Sequence, residues 1–339
     1  MPASSIVTGA AGFIGSHLSA ALLHRGDAVV GVDNFDPFYD RTAKVANIAP
    51  LKCNEFELVE ADIRDGEAMC RVFDRVRPIS VFHIAALAGV RPSIQEPARV
   101  VAVNVEGLVN VLEAARRCGC RRFVFASSSS VYGNPEREGP FSETDPVDQP
   151  ISPYAATKRA GELLCHTYSR LYEMVIACVR LFTVYGPAQR PDLAIGKFMR
   201  LIADGRPVPM FGDGGSSRDY TYIDDIIHGI LAAHDRIQAS NLSASGGQAS
   251  NHFRIWNLGG SKPVALRRMI EAIGSVVGKT PRIEQLPMQP GDVQRTWADL
   301  GRSRAELGYE PKTSFAEGLR QQWAWMSERC GIDDGAAHP

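Results

Sequence analysis

The sequence lacks an apolar run long enough to span a bilayer, which argues against a membrane-crossing helix. It lacks a charge surplus. Its 37 Lys and Arg stand against 38 Asp and Glu, a formal net charge of −1, so no overall basic field exists to hold nucleic acid. No CxxC pair occurs among its seven cysteines, Cys53, Cys70, Cys118, Cys120, Cys165, Cys178 and Cys330. Cys118 and Cys120 have no second cluster to complete a metal site, so no metal is expected. Buried or incidental thiols in a reducing compartment are the simpler reading. The opening residues Met1 to Val7 carry no charged leader or cleavage pattern and run into a strand, so a cytoplasmic location is expected. No internal repeat is present. The composition that remains, 45% hydrophobic and 22% charged over 339 residues, suits one large or two smaller globular domains.

The first half alternates strand and helix patterns. Ser5–Thr8, Ala28–Asp33, Phe56–Asp62, Ile79–Ile84 and Arg122–Ala126 read as strands. Helical patterns lie between them, at Ile14–His24, Pro97–Arg117 and, after the fifth strand, Pro153–Tyr172. Such alternation predicts a doubly wound parallel sheet covered on both faces, an α/β fold. After about Arg180, Pro and Gly become frequent and segments shorten, which predicts a smaller, mixed α/β C-terminal lobe. Residues 1–180 are thus expected to form one domain and 181–339 mainly the other. Returns to the first are expected at about 222–235 and 253–258. Ala239–Asn251, rich in Ser, Gly and Asn, is expected to be a mobile surface loop.

Three motifs carry chemistry. Gly9-Ala10-Ala11-Gly12-Phe13-Ile14-Gly15 follows a strand and opens a helix. Glycines there let the backbone approach a pyrophosphate, whose charge the helix N-terminus stabilises. Asp33 ends the second strand, 18 positions after Gly15. A carboxylate there accepts hydrogen bonds from an adenosine ribose and repels a 2′-phosphate, favouring NAD over NADP. Asp62 and Ile63, ending the third strand, are placed to hold the adenine edge. Tyr154 and Lys158 lie four apart on one helix face, where the ammonium, together with a positive nicotinamide, is expected to lower the phenol pKa. A tyrosinate made accessible in this way serves as a general base. Ser127-Ser128-Ser129-Ser130 follows the fifth strand, whose carboxyl end faces the ligand crevice of a parallel sheet. Each motif alone is also compatible with a plain turn or a solvated Tyr/Lys pair.

Together and in this order they resemble the extended short-chain dehydrogenase/reductase family, in its nucleotide-sugar epimerase and dehydratase branch. The resemblance covers nearly the whole chain, including His83–Ala86, Asn104, Arg180–Gly186, Arg218-Asp219-Tyr220 and Pro290-Gly291-Asp292. It implies a Rossmann-type sheet and bound NAD. It assigns Ser128 as the catalytic hydroxyl, Tyr154 as the base and Lys158 as a further holder of the nicotinamide ribose. By the same resemblance Gly9, Gly12, Phe13, Ile14, Gly15, Asp33, Asn34, Asp62, Ile63, Ala85, Ala86 and Asn104 bind the cofactor. Phe211 is implied near a uracil, Arg218 and Arg295 near a diphosphate, and Asp292 near the uridine ribose. Arg91 is implied at a phosphate, and Ala194 to Lys197 on the pocket wall. A homodimer through the helices Pro97–Arg117 and Pro153–Tyr172 is also implied, with Val101, Val105, Leu108, Leu112, Leu163, Leu164, Tyr168 and Leu171 on their apolar faces; a monomer is the alternative.

What the third motif lacks narrows the reaction. Dehydratases and decarboxylases of this family carry acids where Ser129 and Ser130 stand. Without one, oxidation of C4 followed by return of the hydride from the opposite face is 4-epimerisation. Asp33-Asn34-Phe35 with Tyr39-Asp40, Ala88 to Arg91, Phe182 to Pro187 with Arg190-Pro191-Asp192, and Met288 to Val293 look like UDP-glucuronate 4-epimerases. Ser129, Ser130 and Thr183 are short donors suited to a C5 carboxylate, and Arg190 suits that carboxylate or the diphosphate. Loop packing is the competing explanation for Thr183 and the serines. UDP-glucose or UDP-N-acetylglucosamine epimerisation, UDP-glucuronate decarboxylation and a non-catalytic NAD-binding relative are the alternatives.

Overall fold

The computed structural model describes residues 4–135, 138–239, 252–287 and 293–330, without the Cys330 side chain. The strands β1 (Ser4–Thr8), β2 (Ala28–Asp33), β3 (Phe56–Glu60), β4 (Ser80–His83), β5 (Arg122–Ser128) and β6 (Val175–Leu181) are followed by β7 (Thr183–Tyr185), β8 (Val208–Phe211) and β9 (Ser217–Tyr222). The last three are β10 (Phe253–Leu258), β11 (Pro263–Ala265) and β12 (Ile283–Leu286). Seven of them form one parallel sheet in the order β3-β2-β1-β4-β5-β6-β10. The chain crosses from β3 back past β1 to β4, so a crevice opens between the carboxyl ends of β1 and β4.

The strands are apolar on both faces because helices cover both. Val7, Phe82, Val124, Ala177 and Val179 enter one core cluster; their neighbours Ile6, Val81, Phe123, Ile176 and Cys178 enter the other. That alternation is the two-residue period of a strand. The helix Ile223–Gln238 packs against β5, β6 and the helix Phe13–His24. The smaller lobe holds a three-stranded sheet β11-β9-β7 and the pair β12-β8. No described helix is long and apolar enough to cross a membrane.

The long helix expected over Pro97–Arg117 is interrupted. Pro97–Val101 and Gly107–Arg117 are α-helical, and Ala102–Glu106 form a π-turn between them. The wider turn presents Asn104, whose amide accepts from Leu87 N at 2.8 Å and donates to Leu87 O at 3.1 Å and Thr157 Oγ1 at 3.0 Å. The apolar faces divide between the core and the surface. Leu108 and Leu112 are fully buried and Val105, Leu164 and Tyr168 half-buried, while Val101, Leu163 and Leu171 are exposed. Of the surface loop expected over Ala239–Asn251, residues 240–251 lie outside the described residues.

One buried ion pair ties the layers together. Arg180 on β6 donates to Glu162 of the helix Pro153–Tyr172 from Nε at 2.8 Å and from Nη2 at 2.9 Å, with both side chains 1% exposed. Glu162 also accepts from Ser127 Oγ at 2.7 Å. Arg180 Nη1 donates to the Tyr132 hydroxyl, which donates to Asn257 Oδ1 at 2.7 Å. Glu162→Ala leaves a guanidinium buried without its counter-charge and is expected to cost about 3–5 kcal/mol in urea unfolding. A loss below about 1 kcal/mol would mean that water reaches and solvates Arg180.

Candidate active site

The crevice at the carboxyl ends of the sheet is a cavity of about 460 Å³. Its floor is the glycine loop. Gly9 has φ +72°, and a Cβ there would lie 2.8 Å from Ala85 N; a Cβ on Gly15 would strike the Gly9 carbonyl. The backbone therefore packs closer than any side chain allows, and the helix Phe13–His24 opens with its N-terminus on the cavity. Asp33 ends β2 and accepts from Ala11 N at 3.0 Å and Phe35 N at 2.8 Å. Burial raises its pKa, opposed by the Lys44 ammonium at 3.9 Å and those two N–H groups. Asn34 Nδ2 donates to Asp62 at 2.9 Å, and two hydrogen bonds donated by Arg64 hold the Asp62 carboxyl down at about 2. Phe13, Ile14, Ile63, Ala85 and Ala86 complete this half of the wall. Asn104 is not on the wall: its amide is spent on Leu87 and Thr157, so it braces the lining segment from behind.

Ser128 ends β5 and its Oγ accepts from Ser130 N at 3.2 Å and Ser130 Oγ at 2.8 Å. Tyr154 stands in the first turn of its helix, which is fixed by Pro153 and by Ser152 Oγ accepting from Ala155 N at 3.1 Å. Burial raises the phenol pKa; a hydrogen bond with Ser128 and the charge of Arg190 oppose it. Lys158 differs from expectation. Its Nζ donates to Ala126 O at 2.7 Å and lies 5.9 Å from the Tyr154 ring centre, so it is turned to the strand and not to the phenol oxygen. Burial lowers the ammonium pKa to about 8. His83, packed under it and bonded to Thr8 Oγ1 at 2.9 Å, is pushed to about 3 by burial and by that ammonium, so it is neutral.

Ser129, Ser130, Thr183, Arg190 and Arg218 line the other half of the cavity. Among the described residues, five expected substrate contacts do not: Arg91, Phe211, Ala194, Lys197 and Arg295. Arg91 lies with Cζ 4.8 Å over the Phe211 ring, joining the helix Val90–Gln95 to β8. Ala194 and Lys197 are exposed on the helix Ala194–Ala203. Arg295 packs 6.0 Å from the Trp297 ring beside β9. Asp292 lies outside the described residues. Phe38, Tyr39, Lys44, Leu193, Val293 and Thr296 are lining residues that sequence reasoning missed. Lys44 had one local signal: Asp40 caps the helix Arg41–Ile48, whose first turn aims Lys44 at Asp33 and over the Tyr39 ring at 4.8 Å. The Tyr39 hydroxyl is buried in the cavity wall with no hydrogen-bond partner among the described residues, an orphan that a ligand hydroxyl or phosphate would satisfy.

Residues 6–322 match a family model described as GDP-mannose 4,6 dehydratase. The chain belongs to this family. A UDP-glucuronate 4-epimerase of Thermodesulfobacterium geofontis is 41% identical over 325 residues, covering 95% of this chain and 96% of the relative. A probable UDP-glucuronate 4-epimerase of Rhizobium meliloti is 39% identical over 333 residues, covering 95% and 96%. The crystal structure of Bacillus cereus UDP-glucuronic acid 4-epimerase with UDP-glucuronic acid and NAD superposes with a TM-score of 0.86 at 34% identity, over 96% of this chain and 99% of that one. The Thermus thermophilus UDP-glucose 4-epimerase with NAD gives 0.84 at 32%, over 95% and 98%. The family's descriptive name is therefore wider than one reaction, and the loop chemistry must decide within it.

In this family member the buried Lys158 opposes stability. Its folded pKa of about 8 lies below the ordinary lysine value of 10.5, so between those values the unfolded chain holds the extra proton and stability rises with pH. Below pH 8 the whole penalty applies. Lys158→Met, in dinucleotide-free protein, is expected to gain about 2 kcal/mol at pH 7 after allowing for the lost Ala126 bond, while losing activity. The gain should shrink in urea melts taken from pH 8 towards 10.5; a variant no more stable than wild type at pH 7 would refute the buried charge.

Proposed function

We propose that this protein is an NAD-dependent UDP-sugar 4-epimerase that interconverts UDP-glucuronate and UDP-galacturonate. The observation that carries the reading is the loop after β5: Ser128, Ser129 and Ser130 enter the cavity beside Tyr154, with no carboxylate among them and Arg190 on the facing wall. NAD fits the glycine cradle and the Asp33 carboxylate, and when bound there it supplies the acceptor and later the donor of the C4 hydride. Tyr154 takes the proton of the C4 hydroxyl, and Ser128 bridges the phenol and that hydroxyl. Lys158, anchored on Ala126, holds positive charge beneath the nicotinamide ribose position. Turning the 4-keto sugar over before reduction inverts C4.

A uronate oxidised at C4 is a β-keto acid and loses CO₂ readily. An epimerase must fix the carboxylate and must withhold an acid that would protonate the resulting enolate. Ser129, Ser130 and Thr183 offer neutral donors, and Arg190 a cation, which is the required set. The epimerase names of the relatives at 39–41% identity support the same choice.

We further read the chain as a cytoplasmic homodimer built on a strip containing Val101, Leu163, Leu171 and Tyr172, which are 40–65% exposed on the two helices. Residues 1–180, with returns at 222–235 and 253–258, form the NAD unit in this reading and the remainder of 181–339 the sugar-nucleotide lobe. Sedimentation at micromolar concentration should give twice the 36.9 kDa chain mass, and Leu163→Glu should give the monomer; a wild-type monomer would reject the dimer.

The decisive assay incubates the enzyme separately with UDP-glucuronate, UDP-glucose, UDP-N-acetylglucosamine and UDP-xylose and quantifies products and CO₂. UDP-galacturonate should form fastest, without CO₂. Tyr154→Phe should retain NAD yet lose at least about 100-fold in turnover. Ser130→Glu should slow epimerisation and release a 4-keto-pentose. Fastest turnover of a neutral sugar, or a fully active Tyr154→Phe, would overturn the assignment.

A further inference from the structure

Arg190 and Asp192 lie in the loop between β7 and the helix Ala194–Ala203. Gly186 (φ +143°) and Ala188 (φ +61°) turn the chain into it, and Arg200 Nη2 donates to Pro191 O at 2.6 Å, tying its middle to the helix. Arg190 donates to Asp192 twice, from Nε at 3.1 Å and from Nη2 at 2.9 Å. This is the fork by which a guanidinium binds any carboxylate. The Arg190 Cζ also lies 5.1 Å from the centre of the Phe38 ring, which supports it independently of Asp192.

The two partners face different surroundings. The Arg190 side chain is 15% exposed and lines the cavity with Thr183 and Tyr154; that of Asp192 is 41% exposed and is not on the cavity wall. A half-buried cation without a counter-charge is costly and would attract any anion that entered. An exposed carboxylate removes that cost and is released cheaply, because solvent replaces the bonds it gives up.

We propose that Asp192 is a place-holding carboxylate, occupying the Arg190 fork until the C5 carboxylate of the substrate takes it over, and so tempers the affinity for uronate while leaving neutral sugars unaffected. This rests on the uronate reading above. The exchange is carboxylate for carboxylate: two hydrogen bonds break, two form, and the charge paired with Arg190 is unchanged. A C5 hydroxymethyl cannot offer two acceptors to the fork, so a neutral sugar leaves Asp192 in place and gains nothing there. Phe38 keeps the guanidinium aimed at the cavity while its partner changes. Asp192 thus acts through Arg190, as a positioning residue.

The test uses the NAD-loaded enzyme and its Asp192→Asn and Asp192→Glu variants. Removing the competing charge should lower KM for UDP-glucuronate about three- to fivefold, with kcat little changed, the range expected for an exposed ion pair. The inhibition constant of UDP-glucose against UDP-glucuronate should not move, and Asp192→Glu should keep wild-type values. NAD content and melting temperature should also hold, since the Asp192 side chain faces solvent. A raised KM for UDP-glucuronate would reject the proposal, because Asp192 would then merely orient Arg190. Equal tightening of both ligands would reject it in favour of Arg190 serving the diphosphate, and no change in either would reject it outright. A wild-type enzyme that turns over only neutral UDP-sugars would instead remove the uronate reading, and this inference with it.

Discussion

The Glu162–Arg180 pair is the interaction on which the site depends. A parallel sheet brings the ends of β4, β5 and β6 to one edge, but it does not set the height of the loop that leaves β5. The carboxylate of Glu162 does so, by accepting from Ser127 Oγ while gripping Arg180 on the neighbouring strand. The same Glu162 lies two helical turns beyond Tyr154. Ser128 and Tyr154 therefore inherit their separation from one buried contact. Through Tyr132 the pair continues to Asn257, whose Nδ2 donates to Phe141 O at 2.8 Å and Asp299 O at 3.2 Å. Buried charges tolerate little displacement, because each lost bond exposes an unpaired group to a low-dielectric interior.

Lys158 illustrates the opposite economy. Its ammonium is buried against Ala126 O and the face of Phe125, with no carboxylate beside it among the described residues, and burial brings its pKa to about 8. Stability alone would select an apolar side chain there. A cation held ready in the cavity wall, with neutral His83 below it, is useful only to a bound ligand. Local cost at a functional site, offset by the well-packed sheet around it, is the expected pattern.

Much of this was legible from local patterns. Glycines where a Cβ would strike the backbone, an acid at the end of β2 and a Tyr/Lys pair one helical turn apart each follow from short-range geometry. The strands were legible for the same reason, since both faces of a parallel sheet are apolar. Asn104 was legible as a residue of interest but not in its task, because the π-turn that aims it at Leu87 has no sequence period of its own. Lys44 and Tyr39 were missed because their partners, Asp33 and the cavity, are assembled across a loop with no period. Arg91, Phe211 and Arg295 were drawn towards the pocket by resemblance, whereas here they pack on one another and on Trp297.

The sequence by itself determined the fold class, the ligand edge of the sheet and the chemical types of the groups at that edge, because period, glycine and strand-end position are properties of neighbouring residues. Only the tertiary structure decided which of those groups act on one another. Whether Tyr154 feels Lys158 or Arg190, and whether Arg190 is free or held by Asp192, depends on distances of a few ångströms between segments far apart in the chain. Hydrogen bonds and desolvated charges change their strength over that range, so no pattern of neighbours can specify them.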